Sequence, residues 1–171
     1  MDGQNPQAGL VEGSDGALYG TTQYGGAYNA GVVFRVNKDG TGYGVLYKFG
    51  GGADGANPQS GLVEAGNGAL YGTTPSGGDY GSGTVFRLNK DSTGYGVMHS
   101  FGGSATDGQQ PQASLTRGSD GVLYGTTAFG GGQGAIDCVW RYGAKVVSDG
   151  RHMARDRCRA RFRAAMARLL A

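Results

Sequence analysis

Two tyrosines in glycine-rich loops are the side chains best suited to contact a ligand. Tyr28 lies in the loop Gly25 to Gly31, and Tyr80 occupies the corresponding place in Gly77 to Gly83. Small neighbours leave an aromatic ring accessible, and a ring offers a large contact area at low entropic cost. With Asn29 and Asp79 beside them, these tyrosines are predicted to contact a sugar or a peptide. The competing interpretation is simple packing within the loop.

Other motifs favour structural roles. The repeated Gly-Thr-Thr lacks the lysine and the following helix of a phosphate-binding loop, so it is interpreted as a strand end. Asp54 and Asp107 lie in equivalent loops, where a single carboxylate is too few for calcium and a turn is favoured. His99 and His152 have no adjacent nucleophile. The sequence therefore predicts no catalytic residues, no metal site and no cofactor.

One phrase recurs three times and defines the architecture. Gly-Ala-Leu-Tyr-Gly-Thr-Thr occupies 16–22 and 68–74, and Gly-Val-Leu-Tyr-Gly-Thr-Thr occupies 121–127. The period is therefore 52 and then 53 residues. A repeat of this length indicates stacked supersecondary units, each too small to bury its own apolar face.

Each unit contains four strand signals. Short apolar runs flank Asp-Gly or Asn-Gly turns in the first half, and polar and apolar residues alternate along 84–88 in the second. Four strands in about 50 residues are typical of a propeller blade. We predict an all-β, propeller-type array with unit one at 5–51, unit two at 57–103 and an incomplete unit three at 110–147. Gly-Gly linkers and Pro-Gln elbows should separate the units.

Composition limits the classes of function. The 171 residues include 37 glycines without a collagen period, and the formal net charge is +2. Residues 151–171 carry a net charge of +6, whereas residues 1–150 carry −4. The positive net charge therefore comes from the tail, and no nucleic-acid-binding surface is predicted on the repeats. The two cysteines predict no disulfide framework. No secretory signal or membrane-spanning stretch is recognised.

The phrase Gly-Leu-Val-Glu, followed by Asn-Gly-Ala-Leu-Tyr-Gly-Thr-Thr and then Gly-Thr-Val-Phe-Arg, resembles the GloVer tandem repeat of Gloeobacter and Verrucomicrobia. The resemblance covers residues 5 to about 142. It implies a bacterial protein with many repeats, exported and held at the cell surface by one of several alternative C-terminal anchors, with no established activity. The chain itself shows neither signal nor anchor, so its own localisation stays open.

The third unit departs from the pattern near 135–138 and after Tyr142, and its fourth strand is expected to be absent. An Ala- and Arg-rich tail follows at 151–171. Two interpretations stay open for this tail. It is either the product of a shifted reading frame or a short basic amphipathic helix, whose apolar stripe would comprise Cys158, Phe162, Met166, Leu169 and Leu170.

Together these patterns favour a non-enzymatic extracellular or cell-surface module that binds a glycan or a surface protein through its Gly-rich loops. The alternative is a fragment of a propeller-type polysaccharide hydrolase or lyase, with carboxylates of different units converging on a channel. Three units are too few to close a propeller ring, so we also expect self-association through unpaired repeat edges.

Overall fold

The computed structural model describes residues 2–105, 107–130, 138–141 and 144–145, and the tail 151–171 lies outside these ranges. The described chain is all-β, as predicted. Its strands β1 to β16 are Gly3–Gln4, Val11–Glu12, Leu18–Thr22, Tyr24–Gly25, Val32–Val36, Gly44–Lys48, Val63–Glu64, Leu70–Thr74, Thr84–Leu88, Gly96–Ser100, Gly108–Gln109, Thr116–Arg117, Leu123–Gly125, Phe129–Gly130, Cys138–Arg141 and Ala144–Lys145.

Each repeat forms one antiparallel four-stranded sheet, which confirms the predicted meander. The sheet orders are β2-β3-β5-β6 in the first unit, β7-β8-β9-β10 in the second and β12-β13-β15-β16 in the third. The first two sheets share one register, because Leu18 to Thr22 pair with Val36 to Val32 just as Leu70 to Thr74 pair with Leu88 to Thr84. Within the described residues, the units form an open propeller-type array.

The third unit differs from the prediction in one respect. A fourth strand was expected to be absent, but β16 pairs with β15 through Trp140 opposite Lys145 and Arg141 opposite Ala144. Two backbone pairs are enough to form a short outer strand even though the apolar pattern has been lost. The expectation of a missing strand was therefore wrong.

Tight turns join the first two strands of each sheet. In the first unit the Gly13 amide donates to the Ala17 carbonyl at 2.8 Å, and Gly16 takes φ +78°. Gly68 and Gly121 take almost the same angle in the other units. This left-handed conformation favours glycine, which explains why each turn ends in Gly.

The hydrophobic core lies between the sheets rather than within any one unit. One cluster joins Tyr19, Val33 and Phe49 of the first unit to residues of the second, and the face of the second unit that turns towards the first is buried. That face comprises Leu62, Leu70, Phe86 and Leu88. A second cluster joins units two and three. A single unit would leave these faces in water, so neighbouring units stabilise one another.

Candidate functional site

The glycine-rich loops lie at one end of the sheets, which we call the loop end. The loop after β3 and the loop after β8 leave corresponding strand ends, because the two sheets have the same order and register. The chain segment that crosses from unit one to unit two also passes here, since the Asn57 amide donates to the Ala30 carbonyl at 2.7 Å. The loop end therefore gathers the irregular segments in which binding residues are most often found.

Tyr28 is the most exposed of the large hydrophobic side chains in the part of the chain that the structure describes. It is 73% exposed and borders an open cleft of about 580 Å³. Asn29 lines the same cleft and takes φ +55°. Its Oδ1 accepts a 3.0 Å hydrogen bond from the Gly25 backbone amide, so the Asn29 side chain also stabilises the conformation of the loop. The remaining lining residues are Asp2, Gly3, Gln4, Gly25, Gly26 and Ala27.

Tyr80 is also exposed, at 60%, but its surroundings differ. Its ring lies over Gly103, where an added Cβ would come within 3.0 Å of the ring. The neighbouring Asp79 is exposed, and its backbone amide donates to Ser100 Oγ at 3.2 Å. The structure thus places Tyr28 with Asn29 at a cleft. Tyr80 and Asp79 lie in the loop after β8, where the Tyr80 ring contacts Gly103 and the Asp79 amide contacts Ser100 at the end of β10.

The third loop presents a different aromatic residue. Phe129 begins β14 and is 60% exposed. It does not occupy the position of the two tyrosines, as the sequence indicated. Asp2 and Gln4 are cleft residues that the sequence analysis missed. Their positions depend on β1 pairing with β4, which a two-residue strand signal was too short to predict.

The Gly-Thr-Thr phrase has a structural role, in agreement with its interpretation as a strand end. The Thr21 hydroxyl donates to the Ser60 carbonyl at 2.9 Å, and Ser60 Oγ lies 2.8 Å from Thr73 Oγ1. Thr73 in turn reaches the Pro111 carbonyl at 3.4 Å. These buried hydroxyl groups link each unit to the next, and their hydrogen bonds offset the cost of burying them.

The carboxylates of the loops between units form hydrogen bonds within the protein. Asp54 Oδ2 accepts from the Gly50 amide at 2.7 Å and from the Tyr47 hydroxyl at 3.0 Å. Asp107 accepts from the Gly102 amide at 3.1 Å and lies 3.0 Å from His99 Nε2. These contacts favour the predicted turn over a calcium site. In the part of the chain that the structure describes, no group of three or more His, Cys, Asp or Glu side chains could hold a metal ion.

A polar cluster at the junction of units one and two was also missed. Glu64 accepts 2.7 Å hydrogen bonds from both the amide and the hydroxyl of Ser14, and Lys90 Nζ lies 2.9 Å from Glu64 Oε1. Burial raises the pKa of Glu64, but these hydrogen bonds outweigh it and hold the pKa below the ordinary value. Nearby, burial and the hydrogen bond to Asp15 raise the pKa of Tyr19 to about 12.

Comparison with known proteins agrees with this architecture. Residues 1–142 match the Gloeobacter/Verrucomicrobia repeat, which is most of the chain. The chain belongs to this repeat family. The family assignment confirms the resemblance noted in the sequence. No curated protein matches this member of the Gloeobacter/Verrucomicrobia repeat family.

Among solved structures, the repeat protein resembles a chain of the crystal structure titled "Crystal structure of Nidogen/Laminin Complex". The TM-score is 0.55 at 19% sequence identity, over 75% of this chain and 42% of that chain. The repeat protein thus spans less than half of the solved chain. The likeness shows a propeller-type fold and nothing about ligands. Within the described residues, no helix is long and apolar enough to cross a membrane.

Proposed function

We propose that the chain is a non-enzymatic, extracellular or cell-surface repeat module that binds a glycan through its loop end. The observation that carries the proposal is Tyr28, which is 73% exposed at the edge of an open cleft. An exposed ring beside a cleft suits stacking against the flat face of a sugar. The family assignment supports the repeat module, and the cell-surface location follows the expectation drawn from the sequence.

The polar lining of the cleft supports a glycan ligand. Asp2, Gln4 and Asn29 present carboxylate and amide groups, which together accept and donate hydrogen bonds. Asn29 uses Oδ1 to hold the loop, which leaves its amide nitrogen as a donor. A neutral ligand rich in hydroxyl groups matches this set. Binding of a protein instead of a glycan is the other outcome of the binding experiment described next.

The proposal is tested by screening the chain on a glycan array and titrating the best glycan by isothermal calorimetry. Tyr28→Ala should weaken binding by roughly tenfold, since one buried aromatic contact contributes on the order of 1.4 kcal/mol. Tyr80→Ala should weaken it less, because Tyr80 does not line the cleft. Tyr43→Ala is the matched control, since Tyr43 is 48% exposed and follows the turn at the opposite end of its sheet.

Three results would reject this function. Binding of proteins but of no glycan would favour a protein partner, and equal affinity of wild type and Tyr28→Ala would exclude the cleft. Release of reducing ends from a polysaccharide would favour the hydrolase or lyase alternative instead.

A further inference from the structure

The turn between β7 and β8 carries an asparagine where the corresponding turns of the other two units carry aspartate. The second unit reads Asn67-Gly68 at this position, whereas the first reads Asp15-Gly16 and the third reads Asp120-Gly121. Asn67 is exposed, and it is the only asparagine in the sequence that glycine follows. Because glycine has no Cβ, its peptide nitrogen is open to attack on the preceding side chain. Asn67 is therefore the asparagine of this chain most open to loss of its amide group.

Loss of this amide group requires water as the only co-reactant. The Gly68 nitrogen attacks Asn67 Cγ, a new C–N bond closes a cyclic imide, and the side-chain nitrogen takes up the Gly68 proton and leaves as ammonia. Water then opens the imide. Attack of water at Cγ breaks the new C–N bond and gives aspartate in the ordinary main chain. Attack at the backbone carbonyl carbon gives isoaspartate, whose main chain passes through Cγ and is longer by a methylene group.

The closed turn slows the reaction, because both reacting groups are hydrogen-bonded. The Gly68 amide donates to the Ala65 carbonyl at 3.0 Å, and Asn67 Oδ1 accepts from the Ala69 amide at 3.1 Å. The Gly68 nitrogen can therefore attack only when the turn opens. Opening has a low free-energy cost here, since Gly66 and Asn67 are exposed and β7 is only two residues long. The folded chain is thus expected to react through this local opening.

The other two units show how aspartate is held at this turn. In the first unit, Asp15 Oδ2 accepts a 2.7 Å hydrogen bond from the Tyr19 hydroxyl. In the third unit, Asp120 Oδ2 accepts a 2.8 Å hydrogen bond from the Tyr124 hydroxyl. The hydrogen bond from Tyr19 lowers the pKa of Asp15, so this turn favours the ionised carboxylate.

The second unit already has the groups that would hold the aspartate product. Asn67 Nδ2 donates to the Tyr71 hydroxyl at 3.1 Å. A carboxylate at this position would instead accept from that hydroxyl, and a hydrogen bond to a charged group is about twice as strong as one between neutral groups. Arg117 of the third unit also lies beside this turn, because a Cβ added to Gly66 would be 2.7 Å from an Arg117 guanidinium nitrogen. The cation of Arg117 would attract the new carboxylate.

We propose that Asn67 is a site of spontaneous deamidation, and that its aspartate product stabilises the turn by accepting a hydrogen bond from the Tyr71 hydroxyl. The reaction gives the second unit the Asp-Gly turn that the other two units already have in the sequence. Isoaspartate does not fit this turn, because its longer main chain displaces the Gly68 and Ala69 amides from their acceptors. This inference does not depend on glycan binding.

Storage of the full chain in mildly alkaline buffer tests whether Asn67 reacts. Peptide mass spectrometry measures the conversion of each asparagine over time, and an assay for ammonia measures the leaving group. Asn67 should be converted faster than Asn29, which is the internal control because it is also exposed but precedes Ala30, whose Cβ hinders the attack. Conversion of Asn67 should be faster still in urea, which opens the turn. Equal rates at Asn67 and Asn29 in buffer would overturn the proposal.

Urea unfolding of Asn67→Asp tests the fate of the product. Compared with freshly prepared wild type at neutral pH, its ratio of folded to unfolded chain should be about fivefold higher, because the hydrogen bond becomes charge-assisted. Tyr71→Phe should abolish this gain in a double-mutant cycle, since phenylalanine keeps the ring but lacks the hydroxyl.

Tyr19→Phe is the matched control, because it removes the equivalent hydroxyl of the first unit and should leave the gain from Asn67→Asp unchanged. Far-ultraviolet circular dichroism checks that each variant keeps the all-β fold. If Asn67→Asp were no more stable than wild type, or if its gain survived Tyr71→Phe, the proposed stabilisation by Tyr71 would be wrong.

Discussion

The ring of Tyr47 lies flat against the ring of Tyr95, with 3.6 Å between centroids and 5° between planes. Tyr47 belongs to the first unit and Tyr95 to the second, so the contact crosses the junction between them. Phe49 extends the cluster, since its ring meets Phe86 edge to face at 5.2 Å. The aromatic residues of two units thus form one core, and neither unit has a complete core without the other.

The first prediction concerns this shared core. Phe86→Ala should lower the free energy of unfolding by about 3–5 kcal/mol, because Phe86 is fully buried and its removal leaves a cavity. Phe34→Ala is the matched control at the same position of the first unit, where the ring is only half-buried. Denaturant titration at low protein concentration measures both. If both substitutions lowered the free energy of unfolding by the same amount, burial of Phe86 between the units would add nothing to stability, which would contradict the prediction.

The second prediction concerns the hydroxyl groups that link the units. Thr73→Val keeps the side-chain shape but removes the partner of Ser60 Oγ, which lies 2.8 Å away in a buried site. The unfolding free energy should fall by about 1–3 kcal/mol, the cost of leaving a buried polar group unsatisfied. Thr126→Val is the control, because Thr126 holds the same position in the third unit and is exposed. Unchanged thermal stability of Thr73→Val would contradict this role.

The repeat made the architecture predictable. Strand signals and Asp-Gly turns recur at a fixed period, so each unit independently predicts the same four-stranded sheet. The register of Leu18 to Thr22 accordingly recurs at Leu70 to Thr74. The glycine of Tyr-Gly-Thr-Thr also has a clear cause. A Cβ on Gly72 would lie 2.6 Å from the Phe86 ring and 2.8 Å from Leu62, so only glycine allows these side chains to pack.

The candidate site was less predictable than the fold. Exposure of Tyr28 and Tyr80 follows from their small neighbours, but the use of Asn29 as a loop clamp depends on its φ of +55°, which the sequence does not specify. The link from Ser14 to Glu64 spans 50 residues. This contact cannot be predicted before the packing of neighbouring units is known, because each of the two residues alone is compatible with a solvated turn or strand end.

The last prediction uses the lowered pKa of Glu64. The folded protein favours ionised Glu64 through Ser14 and Lys90, so this contribution to stability is present above the ordinary pKa of 4.5 and is lost as the pH falls through the lower folded value. The free energy of unfolding should therefore decrease on acidification below that range. Glu64→Gln should be less stable than wild type at neutral pH and should lose less on acidification.

Glu12→Gln is the control for this pH profile, because Glu12 holds the equivalent position in the first unit with a side chain that is 55% exposed. Exposed ion pairs contribute little to stability, so its profile should stay close to that of wild type. Urea unfolding at a series of pH values measures all three proteins at concentrations where the chain is monomeric. Parallel acid profiles for wild type and Glu64→Gln would show that the contact with Ser14 and Lys90 does not stabilise the junction.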